Sequence, residues 1–244
     1  MTRVAAVVLA GGSGARMGID ANKVHLSVGG TPILARSLRT LERCAAVAAI
    51  VVVNRPADDA LTDESIRAAG ANKVVAVVPG GATRTGSELA GLAAVTGVAR
   101  VDDGEAPFDL VLVHDAARPF VTLDLLDVLI AAADEDGGAV PGLPLDDRVY
   151  ESHDGVVTLL DGRDLRRVQT PQVFRTAALL AAYRDAQAVD FEGFDTAQTV
   201  ERFSPTLSVR VVAGDPRNIK VTTTADLTVA EELAVAFDDG RWRT

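Results

Sequence analysis

Short, unbroken apolar runs separated by longer amphipathic stretches set the pattern of the first half of the chain. Val4 to Leu9, Ile50 to Val53, Val74 to Val78 and Leu110 to Val113 carry no polar residue. That is the pattern of strands buried on both faces of a parallel sheet rather than of strands with one wet face. Between them, Leu34, Leu38 and Leu41 fall on one helical face behind Thr31 and Pro32, which predict an N-cap followed by a proline at the first helical position. A second helix contains Leu89 and Leu92, and a third runs from about Leu123 to Asp134 and stops at Gly137 and Gly138. Strands alternating with helices of this length predict a doubly wound α/β fold with a mostly parallel sheet.

The alternation breaks after Pro144. Arg148 to Ser152 and Val156 to Leu160 flank His153, Asp154 and Gly155, and the Asp-Gly pair suits a tight hairpin turn. Such an insertion projects from a parallel domain as an arm, here about 144–168, and a partner subunit is the expected cover for it. The pattern then resumes with a helix near Thr176 to Tyr183, an alternating strand at Leu207, Val209 and Val211, and a final helix carrying Leu227, Ala230, Leu233 and Phe237. A chain of 244 residues is expected to form one domain, 1–244, plus this excursion.

Composition narrows the function. Apolar residues make up 48% of the chain, yet no apolar run approaches the roughly 20 residues of a membrane span. The apolar run near the N-terminus is too short for a secretory signal, so a cytoplasmic protein is expected. Cys44 is the only cysteine, and His25, His114 and His153 lie far apart, which excludes an intrachain disulfide and a thiolate zinc cluster and leaves an imidazole zinc site short of ligands unless carboxylates supply most of them. A net charge of −10 argues against nucleic-acid binding, which needs clustered cations.

The candidate chemistry sits where polar residues interrupt the strand ends. Ala10, Gly11, Gly12, Ser13 and Gly14 follow the first strand, then Arg16, Met17, Gly18 and Lys23. Glycines there let backbone amides face a triphosphate, and Arg16 and Lys23 add charge. The spacing fits neither a Walker loop nor the dinucleotide fingerprint, and no acidic residue ends the second strand, which disfavours a dehydrogenase. Gly80, Gly81, Arg84 and Ser87 follow another strand; they form either a base-binding loop or a turn capped by Ser87. Asp115 and Arg118 follow Leu110 to Val113 at the end where open α/β sheets bind ligands. Asp115 is a candidate Mg2+ ligand or hydroxyl-orienting group and Arg118 a phosphate clamp, unless the two only pair with each other. Lys220 lies in Asn218 to Thr222, directly before the last helix.

Taken together, the Gly-rich loop with Lys23, Gly-Gly-x-x-Arg-x-x-Ser, His114 to Pro119, Gln169 to Gln172 and Asn218 to Thr222 resemble the 2-C-methyl-D-erythritol 4-phosphate cytidylyltransferase family and its relatives, the ribitol-5-phosphate cytidylyltransferases. The resemblance covers nearly the whole chain and implies a Rossmann-like nucleotidyltransferase, Mg2+ dependence, and a homodimer whose hairpin arm reaches the partner's site. It implies that Arg16, Lys23 and Lys220 act on the triphosphate and transition state, that Gly81 and Ser87 face cytosine and ribose, and that Asp115, Arg118 and Thr222 approach a small polyol phosphate. The expected reaction transfers CMP from CTP to 2-C-methyl-D-erythritol 4-phosphate, with pyrophosphate released.

The chain departs from the family on the acceptor side. Asp147, Arg148, Val149 and Tyr150 stand where the family commonly has Asp-Thr-x-Lys. The arginine after the arm has no in-register match, position 162 being glycine, and Arg163 fits after a one-residue shift. The Thr-Asp-Glu-Ala motif stands as Phe194, Asp195, Thr196 and Ala197. Another acceptor such as ribitol 5-phosphate therefore stays open. A catalytically weak nucleotide-binding relative is disfavoured by the retained cations and Asp115.

Overall fold

The computed structural model describes residues 2–12, 22–98, 108–160 and 164–239. In chain order its strands are β1 (Val4–Leu9), β2 (Ser27–Val28), β3 (Thr31–Pro32), β4 (Val47–Asn54), β5 (Val74–Pro79), β6 (Leu110–Asp115), β7 (Gly137–Pro144), β8 (Tyr150–His153), β9 (Val156–Leu159), β10 (Arg166–Val168), β11 (Gln172–Arg175) and β12 (Ser208–Ala213). The helices are α1 (Ile33–Arg43), α2 (Asp59–Ala69), α3 (Arg84–Val98), α4 (Leu123–Asp136), α5 (Thr176–Gln187), α6 (Thr196–Phe203) and α7 (Thr224–Asp238).

Eight strands form one sheet, in which β1 lies between β4 and β6, all parallel, with β5 parallel to β4 at the edge. Beyond β6 the sheet turns mixed: β11 runs antiparallel to both β6 and β7, β10 antiparallel to the end of β7, and β12 parallel to β7. This is the doubly wound, mostly parallel architecture the apolar runs predict. Alternate residues of β1 serve opposite faces. Val4, Ala6 and Val8 pack with α1, α4 and α7 through Leu34, Leu38, Leu126 and Ala230. Ala5 and Val7 pack with α3, α5 and α6 through Leu92, Leu179, Tyr183 and Val200. Each fully buried leucine or valine here contributes about 2 kcal/mol relative to exposure, so the sheet is pinned from both sides and its strand ends form a rigid rim.

Three local expectations change. Thr31 and Pro32 do not open α1: they pair with Ser27 and Val28 across Gly29 and Gly30, both at positive φ, and Pro32 takes the N-cap position without a side-chain cap. The tight glycine turn draws two residues into a strand pair and delays the helix to Ile33. Gly137, at φ 106°, ends α4 as expected, but it also starts β7, a buried strand that no apolar run announces. The reason is steric: a Cβ on Gly138 would lie 2.7 Å from the Phe174 ring. The third concerns β5, where burial alternates because it is the sheet edge rather than a strand covered on both faces.

The hairpin forms as the Asp-Gly pair predicts, but the end of the segment expected to project, 144–168, does not project: Arg166–Val168 pairs with β7 in the main sheet. β8 and β9 pair only with each other, and both turn residues, Asp154 and Gly155, have positive φ. Val156 and Val157 on it are 69% and 61% exposed, an apolar surface without cover among the described residues. No helix among the described residues is long and apolar enough to cross a membrane.

Candidate active site

The first strand delivers one wall of a cleft of about 490 Å3 lined by Leu9, Gly11, Gly12, Lys23, Val24, Gly81, Ala82, Thr83, Arg84, Ser87, Asp115, Ala117, Phe194 and Lys220. Register explains the convergence. Leu9 pairs with Asp115 across β1 and β6, so the Gly-rich loop leaves the sheet beside the carboxylate that ends β6.

Lys23 is only 7% exposed and opens a short 3-10 turn, Lys23–His25. Asn22 fixes that turn: its Oδ1 accepts the Val24 N–H at 3.3 Å, while its Nδ2 donates to the Ala10 carbonyl at 2.5 Å and to Asp58 Oδ2 at 2.8 Å. Arg55 donates to both Asp58 oxygens, at 2.7 and 2.9 Å. Burial works to raise the Asp58 carboxyl, but Arg55 and Asn22 outweigh it and hold the group below its usual value. The lysine is thus tied to the end of β1 by a buried, satisfied network. A Cβ on Gly12 would lie 4.0 Å from Lys23 Cε, so a side chain there would occupy space against the lysine stem.

On the opposite wall Thr83, not Ser87, caps α3: its hydroxyl accepts the Gly86 N–H at 3.0 Å. Ser87 lies one turn in, donating back to the Thr83 carbonyl at 2.9 Å. Arg84, in the first turn, donates through Nη1 to Asp115 Oδ1 at 2.8 Å and through Nε to Glu88 Oε1 at 3.0 Å. Lys220 Nζ meets Asp115 Oδ2 at 2.8 Å. Arg118 Nε stays 3.9 Å from Asp115 and Nη1 donates to the Asn218 carbonyl at 2.8 Å, so a closed Asp115–Arg118 pair is not what this turn builds. Burial favours a neutral Asp115, but Arg84 and Lys220 beside it prevail and keep the carboxyl well below the usual range. It is an anion at every physiological pH. Burial lowers Arg118, with Asp115 working against that shift. His114 is fully buried, and burial pushes its pKa down to about 4, so it is a neutral packing group.

The Gln169 to Gln172 motif supports these walls rather than lining the cleft. Thr170 Oγ1 accepts the Asp115 N–H at 3.0 Å, and its carbonyl accepts Asn218 Nδ2 at 2.9 Å. Gln169 Nε2 donates to the carbonyls of Asp215 and Asn218, at 2.9 and 3.1 Å. Gln172 holds the start of α6 through Asp195 and the Ala197 N–H. The Thr170–Pro171 peptide is cis. The hydrogen bonds of Gln169 and Thr170, just before β11, tie Asp115 to the segment that carries Lys220.

Of the residues singled out in the sequence, Gly11, Gly12, Lys23, Gly81, Arg84, Ser87, Asp115 and Lys220 line the cleft. Ala10 and Gly80 are not among the lining residues; their N–H groups donate to the carbonyls of Val53 and Asn54. Thr222 does not line it: its hydroxyl and N–H both donate to Asp226 Oδ2, at 2.7 and 2.8 Å, at the start of α7. Ser13, Gly14, Arg16, Gly162 and Arg163 lie outside the described residues. Sequence reasoning passed over Asp58 and Glu88, and it gave Asn22, Gln169 and Thr170 no task. A second cavity, about 520 Å3, lies between the start of α4 and the Asp215–Arg217 turn; its arginine is held by both oxygens of Asp215.

A concave site with several cations, one ionised carboxylate and adjacent glycines is built for a polyphosphate and a second anionic group. Comparisons with known proteins agree with that chemistry. Residues 4–235 match the model of the family described as 2-C-methyl-D-erythritol 4-phosphate cytidylyltransferase. The chain is 43% identical over 231 residues to the 2-C-methyl-D-erythritol 4-phosphate cytidylyltransferase of Geobacter metallireducens, covering 93% of this chain and 96% of that one. It is 39% identical over 238 residues to the enzyme of that name from Thermobifida fusca, covering 95% and 93%. Among solved structures, 2-C-methyl-D-erythritol 4-phosphate cytidylyltransferase from Thermus thermophilus superposes with a TM-score of 0.73 at 31% identity, over 96% of this chain and all of that one. The 4-diphosphocytidyl-2C-methyl-D-erythritol synthase of Anaerococcus prevotii gives 0.81 at 27% identity, over 96% and 99%. The chain therefore belongs to the 2-C-methyl-D-erythritol 4-phosphate cytidylyltransferase family.

Proposed function

We propose that the protein transfers CMP from CTP to 2-C-methyl-D-erythritol 4-phosphate, and that the cleft between the ends of β1 and β6 is where it does so. The observation that carries the reading is the meeting of Lys23, Arg84, Asp115 and Lys220, drawn from four separate stretches of sequence, on one cavity beside Gly11 and Gly12. A phosphate oxygen of the acceptor attacks the α-phosphorus of CTP, a new P–O bond forms, the bond to the β-phosphate breaks, and pyrophosphate leaves. No protein nucleophile is required. The protein positions two anions against each other and stabilises the charge that builds up. Lys23 and Lys220, with Arg16 by family resemblance, supply that charge. Asp115 orients Lys220 and Arg84; Arg118, which is not among the residues lining the cleft, is assigned with Asp115 to the acceptor by family resemblance alone.

Mg2+ fits this site in one way. No cluster of three acidic, histidine or cysteine side chains occurs among the described residues, so the ion would be held by Asp115 and by triphosphate oxygens, the usual arrangement for Mg2+. It would have to share Asp115 with Arg84 and Lys220. Bound there, it would neutralise triphosphate charge.

The arm, about 144–168, is read as the dimerisation element of a cytoplasmic homodimer formed by one domain, 1–244, because Val156, Val157 and Tyr150 on it are exposed. Phe194, 89% exposed at the cleft mouth, and the altered Arg148 to Tyr150 segment keep ribitol 5-phosphate as the second acceptor to test. Pyrophosphate release is to be measured for the four nucleoside triphosphates against both polyol phosphates. Turnover with CTP and the methylerythritol phosphate is expected. Turnover only with ribitol 5-phosphate reassigns the acceptor, and no turnover with any pair removes the proposal.

A further inference from the structure

The mechanism above leaves Glu88 without a task, although it is among the most expensive residues in the molecule to place. Its carboxylate is 1% exposed and sits between three helices. Oε1 accepts from Arg84 Nε at 3.0 Å and Thr196 Oγ1 at 2.9 Å, and Oε2 accepts from Tyr183 Oη at 2.5 Å. Burial raises this carboxyl above its usual value, against the opposing pull of Arg84. Apolar side chains of similar volume commonly match or exceed the stability of a buried ion pair, so packing alone does not account for a charge here.

Arg84 supplies the account. Its Nε is held by Glu88 and its Nη1 by Asp115, so two carboxylates grip the guanidinium from different sides and fix its plane. Asp115 in turn keeps Oδ2 for Lys220. Without Glu88 the guanidinium is free to rotate, to take both Asp115 oxygens or to swing into the cleft, and either movement disturbs the place of Lys220. We propose that Glu88 is a positioning residue that acts through Arg84 to hold Asp115 and Lys220 in their working arrangement. This rests on the reading of the cleft as the reaction site. The Thr196 hydroxyl touches the same Glu88 oxygen that holds Arg84. A carboxylate introduced at 196 therefore has the reach to replace the one removed at 88.

The test is steady-state turnover of the full-length protein with CTP and 2-C-methyl-D-erythritol 4-phosphate in E88Q, R84Q, the double variant E88Q/R84Q and the swap E88Q/T196E. The expected result is a fall in kcat of about tenfold in E88Q, with KM for CTP changed by less than about twofold. E88Q should add no further loss in the R84Q background, a coupling that a merely structural role would not produce. The swap is expected to recover kcat to within about threefold of wild type. Should E88Q fail to fold, E88D serves instead, since its shorter carboxylate falls away from Nε, and the same loss is expected. Wild-type kcat in E88Q or E88D overturns the proposal, and so does an equal loss with and without Arg84. An inactive wild-type protein would instead remove the reaction assignment itself.

Discussion

The cleft and the arm belong to one chain but are held in opposite ways. In the cleft, Asp115 meets Arg84 and Lys220, Arg84 meets Glu88, and Asn22 ties the Lys23 turn to β1. The β8–β9 hairpin of the arm has a two-stranded ladder and little else: β8 is exposed throughout, and Val156 and Val157 face solvent. The first region has its geometry set before any ligand arrives, the arrangement electrostatic catalysis needs. The second leaves its apolar side chains exposed, which is why it is the proposed surface for a second copy. Activity should therefore respond to cleft substitutions without loss of fold, and to arm substitutions through assembly.

The largest effect is expected in the cleft. Lys220→Ala should lower turnover about 100-fold or more, because a cation directed at developing charge is worth a few kcal/mol, with the thermal midpoint near wild type. A midpoint that falls in step with turnover would make Lys220 a structural residue and erase the contrast.

Next in size is a pH effect beneath the cleft. Folding depresses His114 from 6.5 to about 4, so below pH 7 the unfolded chain takes up the proton first. The stability from neutral His114 is fully present above its unfolded pKa and is lost as pH falls towards its folded value. Between pH 7 and pH 5 this amounts to about 2 kcal/mol. His25, also lowered chiefly by burial, acts with the same sign. Denaturant unfolding at several pH values should show the slope, and His114→Asn should flatten it; an unchanged slope in that variant places the titration elsewhere.

A smaller effect is expected in the arm. Val156→Lys with Val157→Lys should leave the midpoint of the isolated subunit unchanged, weaken self-association in sedimentation, and lower activity about tenfold at low protein concentration. A monomeric wild-type protein with full activity would contradict the dimer reading. Smallest is the start of α7, where Thr223 and Asp226 form a reciprocal cap. Thr223→Ala should cost about 1 kcal/mol of stability with turnover near wild type, which separates the helix end from the adjacent Lys220.

Much of this was legible in the sequence, and what was not shares a cause. The buried strands β1, β4 and β6 announce themselves as apolar runs, and the polar residues that interrupt them at their ends, Lys23 and Asp115 among them, stand out against that background. β7 does not, because its glycines answer to side chains remote in sequence, Gly138 to Phe174, Gly137 to Leu207 and Gly142 to Val211. α6 was hidden inside a motif whose polar residues, Thr196 and Asp195, face Glu88 and Gln172. Glu88 itself looked like one helical glutamate among several. Its importance lies in Tyr183 and Thr196, 95 and 108 residues away, and no spacing rule reaches that far. The bond between Asn22 and Asp58, 36 residues apart, was missed for the same reason.

The central claim is that side chains remote in sequence act on one bound triphosphate. Calorimetric titration of CTP into wild type, Lys23→Ala, Lys220→Ala and the double variant tests it most directly. The account predicts weaker binding in each single variant and a double-variant loss that departs from their sum, as for groups sharing one ligand. Wild-type affinity in both single variants would contradict it.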